Sequence, residues 1–261
     1  MQCTKIYIKM SKNIVFYDLE TTGKSQNPND VRIIEISAIK VNPDTLDIVD
    51  KIYYKCSNGD VKIDPDATER HGMTEADLVG CPTFQEVAGE VYEFFEGCDV
   101  GGYYCTVFDI PILYYSFVRA GYTWDYKNVK NFDIYTLFRK FYSGKLGDVY
   151  KRYTGKDLED AHSADADVMA TIEVYKQMRE KEGDFDDEDL DTFSDRLDMV
   201  GNFRVRALED GKKEIYIAFG KWKGTSVDKV DISYLKWMFE KGGFAADTTY
   251  YAKKIYDMRN K

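Results

Sequence analysis

"FYDLETTG", Phe16–Gly23, closes an apolar run with two carboxylates, Asp18 and Glu20, and then turns on two threonines and a glycine. The stretch from Ile14 to Glu20 reads as a β-strand. Successive side chains on a strand alternate between faces, so Asp18 and Glu20 point the same way, with Cα atoms roughly 7 Å apart. That spacing lets both carboxylates reach one cation. Ionised groups lose their hydration when buried, which makes an unpaired pair of anions costly in a core. Either the two acids are solvated at a strand end or a positive charge sits between them. The TTG turn that follows lets backbone approach a ligand closely.

Working outward, residues 31–41 and 46–55 read as two further strands separated by polar turns such as Asn42-Pro43-Asp44. The period then changes. Phe84, Val87, Val91 and Phe94 recur at helical spacing behind a Thr83/Glu86 capping box, with Gly97 at the end. CDVGGYY (98–104) is a short strand, and Pro111 opens a helix that Gly121 ends. Residues 132–135 form a short strand, residues 136–143 and 145–154 are helical, and a long helix over 164–180 turns Val168, Ile172 and Tyr175 inward. Three strands followed by alternating helices and strands predict an α/β fold, a mixed sheet flanked by helices.

The 261 residues, 44% hydrophobic and 15% aromatic, fill a real core and exclude a disordered chain. The N-terminal MQCTKIYIKMSKN is too interrupted for a secretory signal, and no apolar run reaches the roughly 18 residues of a membrane span. Five cysteines without a CxxC pair read as scattered buried thiols, and the expected location is cytoplasmic. Charge is uneven. Residues 180–200 hold ten acids and two bases, a net of −8, whereas residues 212–261 hold eleven bases and six acids, a net of +5. An acidic, apolar-poor stretch between differently charged blocks reads as a connection. The expected organisation is a domain over 1–180, an acidic linker over 181–204 and a small basic α+β module over 205–261.

Other acids and one histidine join the first pair. Asp109, in VFDIPIL, sits at a helix entrance, where an N-cap is the simplest role. In AHSADADVMA, His162 precedes a helix and Asp167 follows five residues later. A helix advances about 7.5 Å over that distance, so the two groups can face one cavity. Asp165 and Asp167 can equally complement the helix dipole, and a lone histidine is often a surface or core residue.

DLETTG, then FD, then HxAxxD, in that order, resembles the motif set of the DnaQ-like (DEDDh) 3′–5′ exonucleases. DATERHGMTEADL (66–78) is similar to the family's HGIT segment, and the likeness runs from about Ile14 to Glu180. It implies a ribonuclease H-like fold, with Asp18, Glu20, Asp109 and Asp167 as metal-binding carboxylates and His162 as general base. Four hard oxygen donors suit Mg²⁺ or Mn²⁺, and two such ions about 4 Å apart clamp an in-line displacement at phosphorus. A histidine titrates near neutrality, as that base requires. Thr21, Thr22, Gly23, His71, Tyr104 and Phe108 are the implied substrate contacts. One departure stands out: where the family carries Asn before FD, this chain has Tyr104-Cys105.

AFGKWKGTSVDKVDISYLKWMFEKGGF (218–244) resembles the C-terminal module of exodeoxyribonuclease X-type proteins, with a helix over 233–241. Lys221, Lys223, Lys229 and Lys236 are candidates for phosphate contact or plain solubilising charges, and Trp222 and Trp237 read as core aromatics rather than base-stacking platforms. The resemblance implies release of nucleoside 5′-monophosphates from single-stranded or frayed DNA 3′ ends, with DNA repair as the expected setting. RNA as substrate, a polymerase or repair partner, a homodimer and a binding protein without turnover stay open as alternatives.

Overall fold

A computed structural model describes residues 12–25, 27–139, 144–185, 187–191 and 193–260. Residues 1–11 of the stretch read for a signal, Cys3 among them, and the end of the helix expected over 136–143 lie outside them. β1 (Ile14–Thr21), β2 (Ile33–Val41) and β3 (Ile48–Lys55) form an antiparallel meander. α1 (Pro65–His71) and α2 (Phe84–Phe95) lead to β4 (Asp99–Gly102), and α3 (Asp109–Arg119) leads to β5 (Asn131–Asp133). β4 and β5 add in parallel, giving one five-stranded mixed sheet in the order β3-β2-β1-β4-β5. α4 (Ile134–Phe138), α5 (Leu146–Thr154) and α6 (Ala164–Glu182) follow. The fold is the expected ribonuclease H-like sheet flanked by helices.

Alternation along β1 decides what lies on each face. Val15, Tyr17 and Leu19 pack with α2 and α3 residues such as Val91, Phe95 and Leu113. Ile14 and Phe16 face the other way, onto Val168, Ile172 and Tyr175 of α6. Burying each such side chain contributes ~1.5–3 kcal/mol. Gly101 of β4 allows the fit, because a Cβ there would stand 2.5 Å from the Phe16 ring. The capping box holds too: the Glu86 carboxylate accepts the Thr83 N–H at 2.7 Å.

Several boundaries move. β3 starts at Ile48 rather than Leu46, and the chain turns helical at Ile134, just after β5. α3 starts at Asp109, so Pro111 is its third residue, still within the first turn where no N–H is needed. Cys56, Cys98 and Cys105 are buried free thiols and Cys81 is half-buried. No helix among the described residues is long and apolar enough to cross a membrane.

Beyond α6 come α7 (Asp187–Leu190), an antiparallel pair of β6 (Phe203–Ala207) and β7 (Lys213–Ile217), then α8 (Ile232–Glu240) and α9 (Ala246–Arg259). Phe203, Ile217, Leu235, Met238, Ala252 and Ile255 form a core of their own. Trp237, expected inside, is 43% exposed. The acidic segment is not merely a solvated connection. Leu190, Phe193, Arg196, Asp198 and Met199 are buried, and Phe193, Met199 and Ala245 join the core of the five-stranded sheet. Its charge count hid the apolar residues set between the acids.

A consequence follows for deletion. Asp247 of α9 accepts the Tyr115 hydroxyl of α3 at 2.5 Å and the Met199 N–H at 2.6 Å. Truncation after Asp210 leaves both donors without that acceptor, at ~1–3 kcal/mol for each unsatisfied buried group. Calorimetry of the truncated protein should show the sheet domain melting several degrees lower; an unchanged midpoint would mean that α9 gives it no support.

Candidate active site

The even-numbered face of β1 changes character half-way along. Ile14 pairs with Val41 and Phe16 with Ile39, all four apolar; then Asp18 faces Ser37 and Glu20 faces Glu35. The apolar lining stops where α6 begins. Glu35 accepts the Ala164 N–H at 3.3 Å and the Tyr53 hydroxyl, and the Ser37 hydroxyl donates to Asp165 Oδ1 at 3.0 Å. A carboxylate is stabilised at a helix N-terminus by the unpaired N–H groups there. These contacts hold the first turn of α6 over β2 and place Asp167 among the charges that raise Asp18.

Asp109 arrives from the other side. β4 pairs with β1 only over Ile14–Phe16. Further along, the Leu19 N–H of β1 donates to Asp109 Oδ1 at 3.1 Å. The N-cap role is therefore corrected: Phe108 holds the cap position, and the Asp109 side chain reaches across to β1 instead. The preceding loop is tied to β5, where the Asp133 carboxylate accepts the N–H groups of Tyr104 and Thr106 at 3.1 and 3.0 Å. Cys105, at the departure from the family pattern, is buried with its thiol on Asn131 Oδ1 at 3.3 Å. Tyr104 is exposed on a left-handed backbone, φ 66°, and Phe108 is half-buried against the core. The cluster thus gathers on the second half of β1, past the point where β4 stops pairing with it.

Burial and neighbouring carboxylates dominate its electrostatics. Burial first, then Asp167 and Glu35, pushes Asp18 up to about 8. Burial, then Asp18, Glu35 and Asp167, pushes Glu20 up to about 9, with Arg70 opposing. Asp109 is driven well above the usual carboxylate range by burial and by Asp18, against the Leu19 N–H bond. Asp167 is raised by burial, and its Oδ1 is buried without a hydrogen-bond partner. Among the described residues no three His, Cys, Asp or Glu side chains form a ready-made metal shell. Hard oxygen donors, a shared face and the orphaned Asp167 oxygen fit a divalent, oxygen-seeking cation.

The remaining candidates differ in exposure: Thr21 and Thr22 are buried and His162 is not. His162 is exposed at φ 72°, and its backbone N–H donates to Asp167 Oδ2 at 3.3 Å. Thr22 bonds Arg32 through both its N–H and its hydroxyl, and the Thr21 hydroxyl donates to the Gly23 carbonyl at 2.9 Å. Gly23 takes φ 153°, which side chains rarely adopt, and a Cβ there would also sit 2.1 Å from the Asp64 carboxylate. His71 ends α1 beside Thr21. Its Nδ1 accepts the Met73 N–H at 3.1 Å, its Nε2 is buried, and burial lowers its pKa. Glu35 and Asp133 went unread in the sequence. Glu35 shares parity with Ser37 in an apolar run, which was the available signal; Asp133 gave none.

A family model described as Exonuclease, RNase T, matches residues 15–175, more than half of the chain. The chain belongs to the RNase T exonuclease family. The DnaQ-like resemblance read from DLETTG onward therefore holds. DNA polymerase III subunit epsilon of Escherichia coli (strain K12) is 27% identical over 173 residues, covering 63% of this chain and 70% of that protein. The subunit of the same name from Buchnera aphidicola subsp. Schizaphis graminum (strain Sg) is 25% identical over 242 residues, 88% of this chain and 99% of that one. The zinc-ion-bound E. coli exonuclease I complex with single-stranded DNA superposes with a TM-score of 0.59 at 22% identity, over 65% of this chain. A further exonuclease I structure gives 0.61 at 18% over 88%. This RNase T-family chain spans 41% and 60% of those two chains, and at such identities they speak to fold.

Proposed function

We propose that this exonuclease-family hydrolase is a metal-dependent 3′–5′ exonuclease that removes nucleoside 5′-monophosphates from single-stranded or frayed DNA. The observation that carries the proposal is the convergence of four buried or half-buried carboxylates from β1, α3 and α6 beside His162. Asp18, Glu20, Asp109 and Asp167 would hold two Mg²⁺ or Mn²⁺ ions. When bound, the ions supply Lewis acidity and charge neutralisation at phosphorus.

The chain's own residues do the rest. The TTG turn, with Thr21, Thr22 and Gly23, brings backbone to the terminal nucleotide, and His71 backs that turn. Tyr104 and Phe108 flank the path of the strand. His162 takes the proton of the attacking water at an imidazole nitrogen. Its backbone bond to Asp167 keeps it at the carboxylate cluster. The sheet domain over 1–180 carries this chemistry, and the basic module over 205–261 adds strand contacts through Lys221, Lys223 and Lys229, all exposed. DNA is preferred over RNA because the relatives are DNA polymerase subunits and exonuclease I complexes by name. The same names make a polymerase or repair partner part of the proposal.

The test is digestion of 5′-labelled single-stranded DNA and RNA of one sequence. Expected is a ladder shortening from the 3′ end with Mg²⁺ or Mn²⁺, faster on DNA, with nucleoside 5′-monophosphates as product and no cleavage in chelator. Cleavage that persists in chelator, or internal cuts without a ladder, would overturn the assignment.

A further inference from the structure

Thr106 lies three residues before Asp109, and each of its polar groups is held by a different residue. Its N–H donates to Asp133 at 3.0 Å and its hydroxyl accepts from the Asn131 amide at 2.6 Å, both partners lying on β5. Its carbonyl accepts from Arg196 at 3.3 Å, and Arg196 comes from beyond α6. The Arg196 side chain is buried, with its guanidinium 4.9 Å from the Phe193 ring centre. It also donates to the Met199 carbonyl at 3.0 Å. The Met199 N–H donates to Asp247 of α9 at 2.6 Å, and the same carboxylate accepts the Tyr115 hydroxyl of α3 at 2.5 Å. α3 is the helix that Asp109 opens. The bonds close a ring from the loop before Asp109, through the C-terminal chain, back to the helix after it.

We infer that Arg196 is a positioning residue for Asp109, and that Asp247 and Tyr115 complete a brace by which the C-terminal module fixes the geometry of the carboxylate site from outside it. A backbone carbonyl three residues from Asp109 is where a small displacement matters. Residues 106–109 connect it to the carboxylate without an intervening flexible linker, and packed interiors shift between discrete arrangements rather than yielding smoothly. β5 fixes one side of Thr106, through its N–H and hydroxyl. Arg196 fixes the other, so the loop is held between the sheet and the C-terminal segment. The inference rests on the proposed function only in treating Asp109 as a metal-holding carboxylate.

The test compares the full-length protein with Arg196→Met, Arg196→Lys and Tyr115→Phe, each below its own melting temperature. Amide hydrogen exchange across residues 103–110 is measured in chelator, Mn²⁺ affinity by calorimetry, and kcat and KM on a short DNA strand. Residues that orient metal ligands are worth about 10- to 100-fold. Arg196→Met should therefore speed exchange across 103–110, weaken Mn²⁺ binding about tenfold and lower kcat by a similar factor with KM nearly unchanged. Arg196→Lys should recover part of the loss, because an ammonium can still donate to a carbonyl. Tyr115→Phe, which removes one hydroxyl and folds even if Arg196→Met does not, should shift the same readouts by a smaller factor. A lower melting temperature with unchanged exchange and Mn²⁺ affinity would overturn the brace and leave Arg196 as a fastener of the C-terminal chain. Asp109→Asn separates the two questions. If it binds Mn²⁺ as the unaltered protein does, the metal assignment fails, and exchange across 103–110 alone decides the brace.

Discussion

Asp18→Asn should melt at a higher temperature than the unaltered protein in chelator at pH 8, and should not turn over. The folded-state values of Asp18, about 8, and Glu20, about 9, lie above the ordinary 3.8 and 4.5. The metal-free folded protein therefore holds these protons more tightly than the unfolded chain. By linkage, stability from these groups is greatest below about pH 4 and falls as pH rises through 8 to 9. Asparagine keeps the shape and removes one charge from the repelling set. A gain of even ~1 kcal/mol corresponds to about 2–4 °C in a chain near this size. The gain should grow from pH 5 to pH 8 and shrink when Mg²⁺ is added, since a cation relieves the same repulsion in the unaltered protein. Calorimetry across that pH range checks both signs. A lower midpoint for Asp18→Asn in chelator at pH 8 would mean that the carboxylate supports the fold rather than straining it.

That strain explains which parts of the site could be read from the sequence. Asp18 and Glu20 announced themselves because alternation forces them onto one face and both follow Ile14 and Phe16, whose partners are apolar. Glu35 carries the same message only once the register with β2 sets it opposite Glu20. Within RIIEISAIKV it is one acid in an apolar strand, and pairing is a tertiary fact. Asp109 stands out through the FD motif; its helix entrance alone suggests capping, whereas the open edge of β1 beyond Phe16 supplies its N–H partner. Arg196 was hidden by composition, since ten acids in the surrounding segment outweigh the buried Leu190, Phe193 and Met199.

Helices show the same division. α2 and α6 were legible from their apolar spacing and, for α2, from its capping box. α1 spans only seven residues, none of them buried, so no apolar stripe marks it, although Pro65 at its start and left-handed Gly72 at its end were available signs. α9 mixes Lys, Asp and Tyr around its circumference and buries only Thr248, Ala252 and Ile255. Its place is set by Asp247 meeting Tyr115 and Met199, contacts between residues far apart in the chain.

Under the proposed function the two histidines divide the remaining roles, and His162→Asn tests the division. His71 is fixed by Met73, faces Thr21 with its Nε2 buried, and has its pKa lowered by burial, which suits a neutral support for the TTG turn. His162 is exposed and joined to Asp167 through its backbone alone, leaving the imidazole available to the attacking water. Its φ of 72° is a left-handed conformation that asparagine tolerates better than alanine, so asparagine removes the base without straining the backbone. His162→Asn should lose on the order of 10²–10⁴ in kcat, the usual worth of acid–base catalysis. Mn²⁺ affinity should stay within a few-fold, because the N–H on Asp167 is retained. Free imidazole in the assay should restore part of the rate to His162→Asn and none to Asp18→Asn. If calorimetry shows Mn²⁺ binding collapsing in His162→Asn, the imidazole is a metal ligand and the proton goes elsewhere. If the variant turns over at the full rate, His162 is not the base, and a hydroxide drawn from solvent must do the work without it.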